Sequence, residues 1–388
     1  MGPKFKFNDS NPGTIKTYFG GVGHNVYFGS YYGLQSSFCD NNKISRLISI
    51  VGDDYTGKSM LNQLGEKGID TLGILVEDGP TAQYVSNHAK DGELVVACAD
   101  MKIVEKDFAD HINEQISRAC PELIVLDCNI SSEVATKILT QLANKNIKVL
   151  IEPTSFAKAS RIGRIQLGVF PNNVVDMISP TVAELGAIHA SFDNSGNFED
   201  LDYWFPLLDS LGINSQFRDR LDKLSNRPNY LILKQLLVNG SLQQAFQILP
   251  YIPNIMLKMG DKGIAMICLS TSINDYNSIP TTSPFKPEFI ITSQGHTTES
   301  GQMGVVIKYF PIPKQNENIE IINVTGAGDT LLGYLSATLV SKQTNWLNLK
   351  IESIEQEWHQ WESIHKAQLA SGMTLQCEAP TTSKITSI

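Results

Sequence analysis

A glycine-rich stretch near the carboxyl end of the chain, Asn323 to Thr330, has the residue types that can promote transfer of a phosphoryl group. It follows a short apolar run, Ile319 to Ile322, and precedes an apolar, helix-favouring segment, Leu331 to Val340. This order predicts a strand that breaks at the glycines and restarts as a helix. Such a turn directs several backbone N–H groups and the positive end of the helix dipole toward one bound anion. Asp329, at the edge of the turn, is placed to take a proton from an attacking hydroxyl group.

A simpler interpretation of this stretch is a plain strand-to-helix turn in which Asp329 caps the helix. A lone Thr-Gly-Ala-Gly-Asp pattern does not separate the two interpretations, because short motifs recur by chance. The choice between them depends on what the rest of the chain carries.

A second glycine-rich stretch lies near the amino end, Gly20-Gly-Val-Gly-His-Asn25. Two adjacent glycines and a third allow the backbone to approach a ligand closely. Asn25, at the start of the following helix, could cap that helix or bind hydroxyl groups through its amide. On its own the stretch is better explained as an N-capped turn. His24 is the only one of the seven histidines that lies inside a candidate site, and none shows metal-ligand spacing.

A third stretch, Gly52-Asp-Asp-Tyr-Thr-Gly-Lys-Ser59, formally matches the phosphate-binding loop of P-loop nucleotidases. It follows a predicted strand, Arg46 to Val51, and precedes a predicted helix. However, a P-loop holds phosphates with backbone N–H groups, and Asp53 and Asp54 would place negative charge inside that loop. A P-loop would also leave Asp329 and its turn unexplained, so we keep it as a competing hypothesis only.

Composition limits the classes of protein that fit. The 388 residues include 31 Lys and Arg and 40 Asp and Glu, giving a formal net charge of −9, which argues against a general nucleic-acid or acidic-membrane surface. The six cysteines are scattered, without a Cys-x-x-Cys pair, as in reduced intracellular proteins. No apolar run approaches membrane-spanning length, and the start of the sequence lacks the apolar core of a signal peptide. We therefore expect a cytoplasmic protein.

Strand and helix patterns alternate from Glu105 onward, which predicts βαβ units and a mostly parallel sheet with ligands at the carboxyl ends of its strands. Before that point, Gln83 to His88 and Glu93 to Ala97 flank Lys90-Asp-Gly-Glu93, the strongest short pattern for a β-hairpin. Ser191 to Leu249 interrupts the alternation and is interpreted as a surface insertion.

Three stretches in a fixed order together resemble the ribokinase-like (PfkB-type) carbohydrate kinases. They are Gly20-Gly-Val-Gly-His-Asn25, Gly52-Asp-Asp54 and Thr325-Gly-Ala-Gly-Asp329, and they bracket nearly the whole chain. Shorter stretches are similar to the pseudouridine kinase branch of that family: Ser10-Asn-Pro-Gly13, Ala99-Asp-Met101, Leu126-Asp-Cys-Asn129, Glu152-Pro153 and Asn323.

The resemblance implies a ribokinase-like three-layer α/β/α sandwich with a mostly parallel central sheet and a small β lid. It implies one domain over residues 1–388, with lid elements near 14–20 and 81–98 and an insertion at 191–249. The implied activity is ATP-dependent transfer of a phosphoryl group to the 5′-hydroxyl of a ribosyl nucleoside such as pseudouridine. Mg²⁺ is implied as a cofactor, K⁺ is used by many members, and a homodimer through the lid is expected.

The resemblance also implies a role for each matching residue. Asp329 would be the general base, and the N–H groups of Gly326, Ala327 and Gly328 would stabilise the transferred phosphoryl group. The other implied roles are substrate contacts by Gly20, Gly21, Gly23, His24 and Asn25, ATP contacts by Gly260, Gly263, Thr181 and Thr325, and metal contacts by Glu184 for Mg²⁺ and Asn323 for K⁺.

The chain departs from the family pattern at several positions. Thr181 stands where the family usually has Asn, Asn323 where it often has Asp, and His24 where the pseudouridine branch has Arg. The family opens with a strand before a sugar-binding aspartate, whereas Asp9 has no preceding strand, so the first strand is expected to be missing. Two alternatives follow: a kinase for another acceptor, such as ribose, adenosine or fructose, and a degenerate member that binds a ligand or partner without catalysis.

Overall fold

The computed structural model describes residues 11, 13–39, 42–88, 94–143, 145–280, 282–298, 301–341, 346–347 and 349–388. Three sequence expectations lie wholly or partly outside these ranges: the position of Asp9, the turn at Ser10–Gly13 and the hairpin turn at Lys90–Glu93. Within the described ranges, no helix is both long enough and apolar enough to cross a membrane.

The regular elements follow one another along the whole described chain. The strands are β1 (Ser49–Gly52), β2 (Ile74–Glu77), β3 (Gln83–His88), β4 (Leu94–Asp100), β5 (Leu123–Asp127), β6 (Lys148–Glu152), β7 (Met177–Ile178), β8 (Asn254–Lys258), β9 (Ile264–Ser270), β10 (Phe289–Thr292), β11 (Thr297–Thr298), β12 (Gly301–Gln302) and β13 (Gly304–Phe310). The helices are α1 (Val22–Leu34), α2 (Tyr55–Glu66), α3 (Ala109–Ala119), α4 (Ser132–Leu142), α5 (Phe156–Ala159), α6 (Val182–Asn194), α7 (Trp204–Ser210), α8 (Ser215–Ser225), α9 (Leu231–Val238), α10 (Ser241–Ile248), α11 (Ala327–Ser341) and α12 (Ile354–Leu375).

A seven-stranded sheet forms the centre of the fold, in the order β10-β13-β9-β8-β7-β6-β5. The half from β5 to β8 is parallel, and the half from β8 to β10 is antiparallel. The expectation of an α/β fold is confirmed, but the sheet is mixed rather than mostly parallel. Its parallel half brings the carboxyl ends of β5, β6, β7 and β8 to one edge.

The sheet is interrupted beside β5. Strands β1 and β2 pair with each other in parallel as a separate two-stranded sheet, and within the described ranges β5 pairs only with β6. Every residue of β5 is partly exposed, whereas four of the five residues of β6 are buried. Lys43, shortly before β1, forms an ion pair with Glu122, just before β5. Among the described residues, no strand pairs with the second edge of β1 or with that of β5, so each strand has one unpaired edge.

The predicted hairpin is confirmed: β3 and β4 form a separate antiparallel pair. The second predicted lid element, near residues 14–20, has no regular secondary structure. Lys16 and Tyr18 in that segment both bond to Glu378, near the carboxyl end of the chain. The structure thus holds this segment against the end of the chain rather than in a strand.

The segment from Ser191 to Leu249 carries the helices α7 to α10. Their apolar faces are buried in the main core, where Phe217, Leu233 and Leu242 are at most 5% exposed. Helix α10 packs against α6, which lies beside the central sheet. The interpretation of this segment as a surface insertion is therefore wrong for its helices, which form part of the core.

Helix α12 covers the antiparallel half of the sheet, with Trp361 and Ile364 fully buried. A charged group is also buried there. The Lys308 ammonium on β13 donates to Glu357 Oε2 at 2.5 Å and to Gln360 Oε1 at 2.6 Å. The side chains of Lys308 and Glu357 are only 1% and 6% exposed.

We expect Lys308→Met to destabilise the protein by about 3–5 kcal/mol, because it leaves the Glu357 carboxylate buried without its partner. Urea denaturation followed by circular dichroism measures this loss. Lys308→Met/Glu357→Gln should recover part of it. As a control, Lys137→Met removes an exposed pair with Asp107 and should leave the urea midpoint close to that of the wild type. Equal midpoints for Lys308→Met and Lys137→Met would contradict this prediction.

Candidate active site

The two glycine-rich stretches at opposite ends of the sequence meet at one point of the fold. Helix α1 packs directly against α11, and both helices begin at the same place. The Asn25 side chain in the first turn of α1 donates from Nδ2 to Oδ2 of Asp329 in the first turn of α11, at 2.8 Å. An amide thus holds the carboxylate at the edge of the predicted anion-binding turn.

The surroundings of Asp329 change its proton affinity. Burial raises the pKa of this carboxyl group to about 7, and the negative charge of Glu152 adds to the rise. The hydrogen bond from Asn25 and the positive charge of Lys258 act in the opposite direction. A carboxylate with a pKa near neutrality is well suited to accept a proton from a hydroxyl group.

The turn before α11 leaves backbone donors free. Gly326 has a φ of +82°, and a Cβ atom there would lie 2.1 Å from the carbonyl oxygen of Pro380, so this position requires glycine. The first intrahelical bond runs from Thr330 N to Gly326 O at 2.8 Å. The N–H groups of residues 327–329 precede that bond and have no acceptor among the described residues, as is usual at a helix start. They can bind an anion.

The strand expected before this turn is absent. Residues 319–325 form a loop in which Ile321, Ile322 and Val324 are more than half exposed. The backbone N–H of Ile322 donates to the carbonyl oxygen of Leu375 at the end of α12, at 2.8 Å. The anion-binding turn therefore depends on the end of α12 and on Pro380 for its position, not on a strand of the sheet.

A second carboxylate lies beside the start of α1. Asp127, at the carboxyl end of β5, accepts from the backbone N–H of Gly23 at 2.9 Å and from that of Asn129 at 2.8 Å. The Gly23 N–H is therefore occupied by protein and does not point freely to a substrate. Asp127 is partly exposed and was missed as a site residue by sequence reasoning. Its position at the end of a parallel strand could have indicated it.

His24 lies behind the site rather than on its surface. The residue is 8% exposed, its ring is 4.7 Å from that of Phe28, and its Nδ1 lies 3.2 Å from Oδ1 of Asn25. Burial lowers the pKa of the imidazole to about 4, so it is neutral at physiological pH. In this arrangement His24 supports Asn25, and its contact with a substrate stays a prediction.

The stretch that mimics a P-loop has a different local structure. Asp54 caps α2 and accepts hydrogen bonds from Gly57 N at 2.8 Å and from Thr81 N at 2.9 Å. The hydrogen bond from the Thr81 hydroxyl group is the largest of the effects that lower the pKa of Asp54 to about 2. Its carboxylate occupies the helix N-terminus where a phosphate would have to bind. Lys58 pairs instead with Asp53 at 2.7 Å, on the surface. This geometry argues against the P-loop hypothesis.

Two curated relatives align with this chain over part of their own length. A pseudouridine-metabolizing bifunctional protein of Schizosaccharomyces pombe is 29% identical over 369 residues, which is 95% of this chain and 42% of that protein. The pseudouridine kinase of Escherichia coli is 36% identical over 160 residues, which is 40% of this chain and 47% of that protein. The chain thus spans less than half the length of each of these two relatives in the aligned regions. No family model matches the sequence.

Solved structures match nearly the whole chain. A ribokinase from Giardia lamblia has a TM-score of 0.56 and 15% identity, covering 97% of this chain and 90% of that one. A ribokinase from Cryptococcus neoformans in complex with ADP has a TM-score of 0.54 and 16% identity, covering 99% and 90%. The chain has a ribokinase-like fold. The resemblances to ribokinase-like kinases and to pseudouridine kinase, predicted from the motifs, are confirmed by these comparisons.

Within the ribokinase-like fold, Thr181 and Glu184 open helix α6. Thr181 N donates to Glu184 Oε2 at 2.7 Å, and Glu184 N donates to Thr181 Oγ1 at 3.3 Å, a reciprocal capping box. Thr181 is exposed, and Glu184 is 8% exposed. Thr181 also bridges to Lys258, which places this helix start beside the end of β8. No group of three or more His, Cys, Asp or Glu side chains suited to a metal ion occurs in the described part of the chain.

The remaining predicted residues lie in two loops of the ribokinase-like fold. Gly260 and Gly263 flank the turn between β8 and β9, where Gly263 packs on the carbonyl oxygen of Phe310 and Gly260 faces open space. Asn323 Oδ1 accepts from Thr325 N at 3.0 Å, and Asn323 Nδ2 donates to the carbonyl oxygen of Glu378 at 2.9 Å. The Asn323 side chain thus shapes the loop that leads to the anion-binding turn.

Proposed function

We propose that this protein is an ATP-dependent kinase that phosphorylates the 5′-hydroxyl group of a ribosyl nucleoside, with pseudouridine as the preferred acceptor. The observation that carries the proposal is the placement of Asp329, a carboxylate with a raised pKa, at the edge of a turn with free backbone N–H groups. The choice of nucleoside is supported by the names of the two curated relatives. The choice of ATP is supported by the ADP complex of a similar fold.

In the proposed reaction, Asp329 accepts the proton of the 5′-hydroxyl group while the 5′-oxygen of the acceptor attacks the γ-phosphorus of ATP. The new O–P bond forms as the bond between the γ-phosphorus and the bridging oxygen to the β-phosphate breaks, and ADP leaves. The free N–H groups of Ala327 and Gly328, with the N–H of Gly326 before them and the dipole of α11, stabilise the negative charge on the transferred group. Asn25 keeps the carboxylate of Asp329 directed toward the acceptor.

The acceptor would bind at the start of α1. Gly20 and Gly21 present backbone without side chains, and no atom of the described residues lies within 4 Å of a Cβ position at Gly21. Asp127 uses each carboxylate oxygen for only one backbone bond, so each oxygen retains acceptor capacity for sugar hydroxyl groups. We propose Gly20, Gly21 and Asp127 as the sugar-binding groups.

ATP would bind on the other side of the turn. Gly260 faces open space beside the end of β8, and Thr181 and Thr325 are exposed near the same edge of the sheet. We propose that Gly260, Gly263, Thr181 and Thr325 border the nucleotide.

Mg²⁺, when bound with ATP, neutralises charge on the β- and γ-phosphate oxygens. The residues fit such an ion, which usually keeps several waters and contacts few carboxylates. Glu184 commits Oε2 to the cap of α6, which leaves Oε1 for a water of the hydrated ion. For K⁺ we propose the loop at Asn323, whose Oδ1 has one backbone donor and retains a second acceptor site.

The acceptor assay tests the proposal directly. The purified protein is incubated with Mg-ATP and, in turn, pseudouridine, uridine, adenosine, ribose and fructose, and ADP formation is measured. The expected result is the highest kcat/KM for pseudouridine. A higher kcat/KM for another acceptor would replace pseudouridine in the proposal. Nucleotide binding by folded protein without turnover on any of them would favour the second candidate, a non-catalytic ligand-binding member, which the unpaired edges of β1 and β5 favour.

We propose a homodimer formed through the lid, because the hairpin exposes Tyr84, Val85 and Val96 by more than half of their surface. Val85→Asp should convert the dimer into a monomer, as measured by size-exclusion chromatography with light scattering. Leu72→Asp, a control at an exposed apolar residue outside the hairpin, should leave the mass unchanged. A wild-type protein that is monomeric at micromolar concentration would contradict the dimer.

A further inference from the structure

A buried ion pair lies at the carboxyl ends of two strands beneath the anion-binding turn. The Lys258 ammonium, at the end of β8, donates to both carboxylate oxygens of Glu152, at the end of β6, at 2.8 and 2.9 Å. The Ser179 hydroxyl donates to Glu152 Oε2 at 2.5 Å. The Lys258 and Glu152 side chains are only 12% and 4% exposed. Burial of two charges is costly, so a pair in this position requires an explanation.

The pair touches the first turn of α11. A Cβ atom placed on Gly328 would lie 3.3 Å from Nζ of Lys258, so the ammonium occupies the space beside Gly328 that a side chain there would approach. An ammonium has three N–H donors, and the Glu152 oxygens accept from two of them. Lys258 therefore adds a fixed positive charge beside the N–H groups that are free to bind an anion. The same contact places Lys258 one residue from Asp329.

We propose that Glu152 and Lys258 are a positioning pair for Asp329. The pair places one negative and one positive charge near this base and thereby sets the pH range in which Asp329 can accept a proton. This inference rests on the proposed function for its role in catalysis. The pair itself is defined by the contacts among Glu152, Lys258, Ser179 and Gly328, none of which requires a substrate.

Four charged or polar groups face Asp329 from the elements packed around it. Glu152 on β6 and Asp127 on β5 disfavour the ionised carboxylate, whereas Lys258 on β8 and the Asn25 amide on α1 favour it. Opposite charges at short range in a weakly polar interior have large and opposing effects. Removal of Glu152 alone therefore leaves Lys258 unopposed and should make Asp329 a stronger acid. Removal of both charges should return Asp329 close to its original behaviour.

The test is a direct titration of Asp329 in the whole protein. Aspartate is labelled with ¹³C at the carboxyl carbon, and the Asp329 resonance is assigned by its absence in Asp329→Asn. We expect Glu152→Gln to lower the midpoint by about one pH unit or more, the usual size of the effect of a nearby charge. Glu152→Gln/Lys258→Met should bring the midpoint back to within about half a unit of the wild type. An unchanged midpoint in Glu152→Gln overturns the inference, and so does an equal shift in both variants.

A matched control exists on the same strand. Lys148, at the amino end of β6, pairs with Asp176 at 3.0 Å, far from the anion-binding turn, and Lys148→Met should leave the Asp329 midpoint unchanged. If Glu152→Gln does not fold, Ser179→Ala serves instead, because it weakens the hold on the Glu152 charge and should shift the midpoint downward by a smaller amount. No shift in folded Ser179→Ala would then overturn the inference.

The pH dependence of kcat/KM provides a second measurement. It would not change if Glu152 and Lys258 had only a structural role. In Glu152→Gln, the acidic limb of the kcat/KM profile should move to lower pH in step with the Asp329 midpoint. If the wild type phosphorylates no acceptor, the proposed function fails while the titration still decides whether the pair controls Asp329. If the Asp329 midpoint shifts in Glu152→Gln but the acidic limb of the kcat/KM profile does not, the catalytic role of the pair is overturned.

Discussion

Asp329→Asn is expected to lower kcat by about 10³-fold, within the usual range for loss of a general base. The substitution keeps the size of the side chain and can still bond with Asn25, so the protein should remain folded. The remaining activity would come from the anion-binding turn and from the positioning of the two substrates. Steady-state kinetics with pseudouridine and ATP, together with circular dichroism, measure both effects.

A paired variant separates this site from the P-loop hypothesis. Lys58→Ala removes only a surface pair with Asp53 and should leave kcat unchanged. A loss of activity in Lys58→Ala, with Asp329→Asn active, would reverse the assignment of the site.

The pH dependence provides a further check on Asp329. Since the base must be ionised to accept a proton, kcat/KM should rise with pH through an acidic limb near pH 7 and then level off. The pKa of Asp329 in the folded protein lies above that of an unfolded aspartate, about 3.9. The contribution of Asp329 to the free energy of unfolding should therefore decrease as pH rises from about 4 to 7. Asp329→Asn should therefore be at least as stable as the wild type at pH 8. A wild-type limb near pH 4 would contradict the raised pKa.

Gly326→Ala is expected to reduce kcat by about 10²-fold or more, the usual cost of losing one well-placed backbone donor. A methyl group at this position would meet the carbonyl oxygen of Pro380 at 2.1 Å, and the φ of +82° is strained for alanine. The turn must move, and its N–H groups lose their common direction. Steady-state kinetics measure the loss, and thermal unfolding shows how far the fold is affected.

Gly65→Ala is the matched control for this substitution. Gly65 lies within α2, and nothing lies within 4 Å of a Cβ atom there, so alanine should be tolerated and should stabilise the helix. Full activity in both variants would show that the turn at Gly326 is not part of the catalytic site.

The sequence was sufficient to predict both glycine-rich helix starts. Both stretches combine glycines with a polar residue at the beginning of an apolar helix, a pattern that reports backbone geometry as well as side-chain chemistry. The bond between Asn25 and Asp329 joins residues 304 positions apart, and the resemblance to a known family indicated that these stretches share one site. The hairpin of β3 and β4 was likewise predicted from Asp-Gly between two alternating strands.

The groups beneath the anion-binding turn could not be predicted in the same way. Glu152 and Lys258 come together because β6 and β8 lie on either side of the short strand β7, an order fixed by the whole sheet. Each residue ends an apolar run, and nothing local distinguishes such an end from an exposed loop. Asp127 could have been suspected from its position at the end of a parallel strand, but its partner, the Gly23 N–H, belongs to a distant segment.

Two errors have a common physical origin. The apolar run at residues 319–322 suggested a strand, but no strand in the described part of the chain pairs with it, and the loop bonds instead to the end of α12. The polar start of Ser191–Leu249 suggested a surface insertion, but later residues of this segment supply apolar helix faces to the core. In both cases tertiary contacts determined the structure, and such contacts cannot be predicted from the local pattern of apolar and polar residues.

The most direct test of the proposed function is identification of the product. Wild-type protein and Asp329→Asn are incubated with Mg-ATP and pseudouridine, and the products are analysed by ³¹P nuclear magnetic resonance and mass spectrometry. The expected result is pseudouridine 5′-phosphate formed by the wild type together with an equal amount of ADP, and almost none formed by Asp329→Asn. Phosphorylation at another position, or equal product from both proteins, would contradict the role of Asp329 as the base that activates the 5′-hydroxyl group.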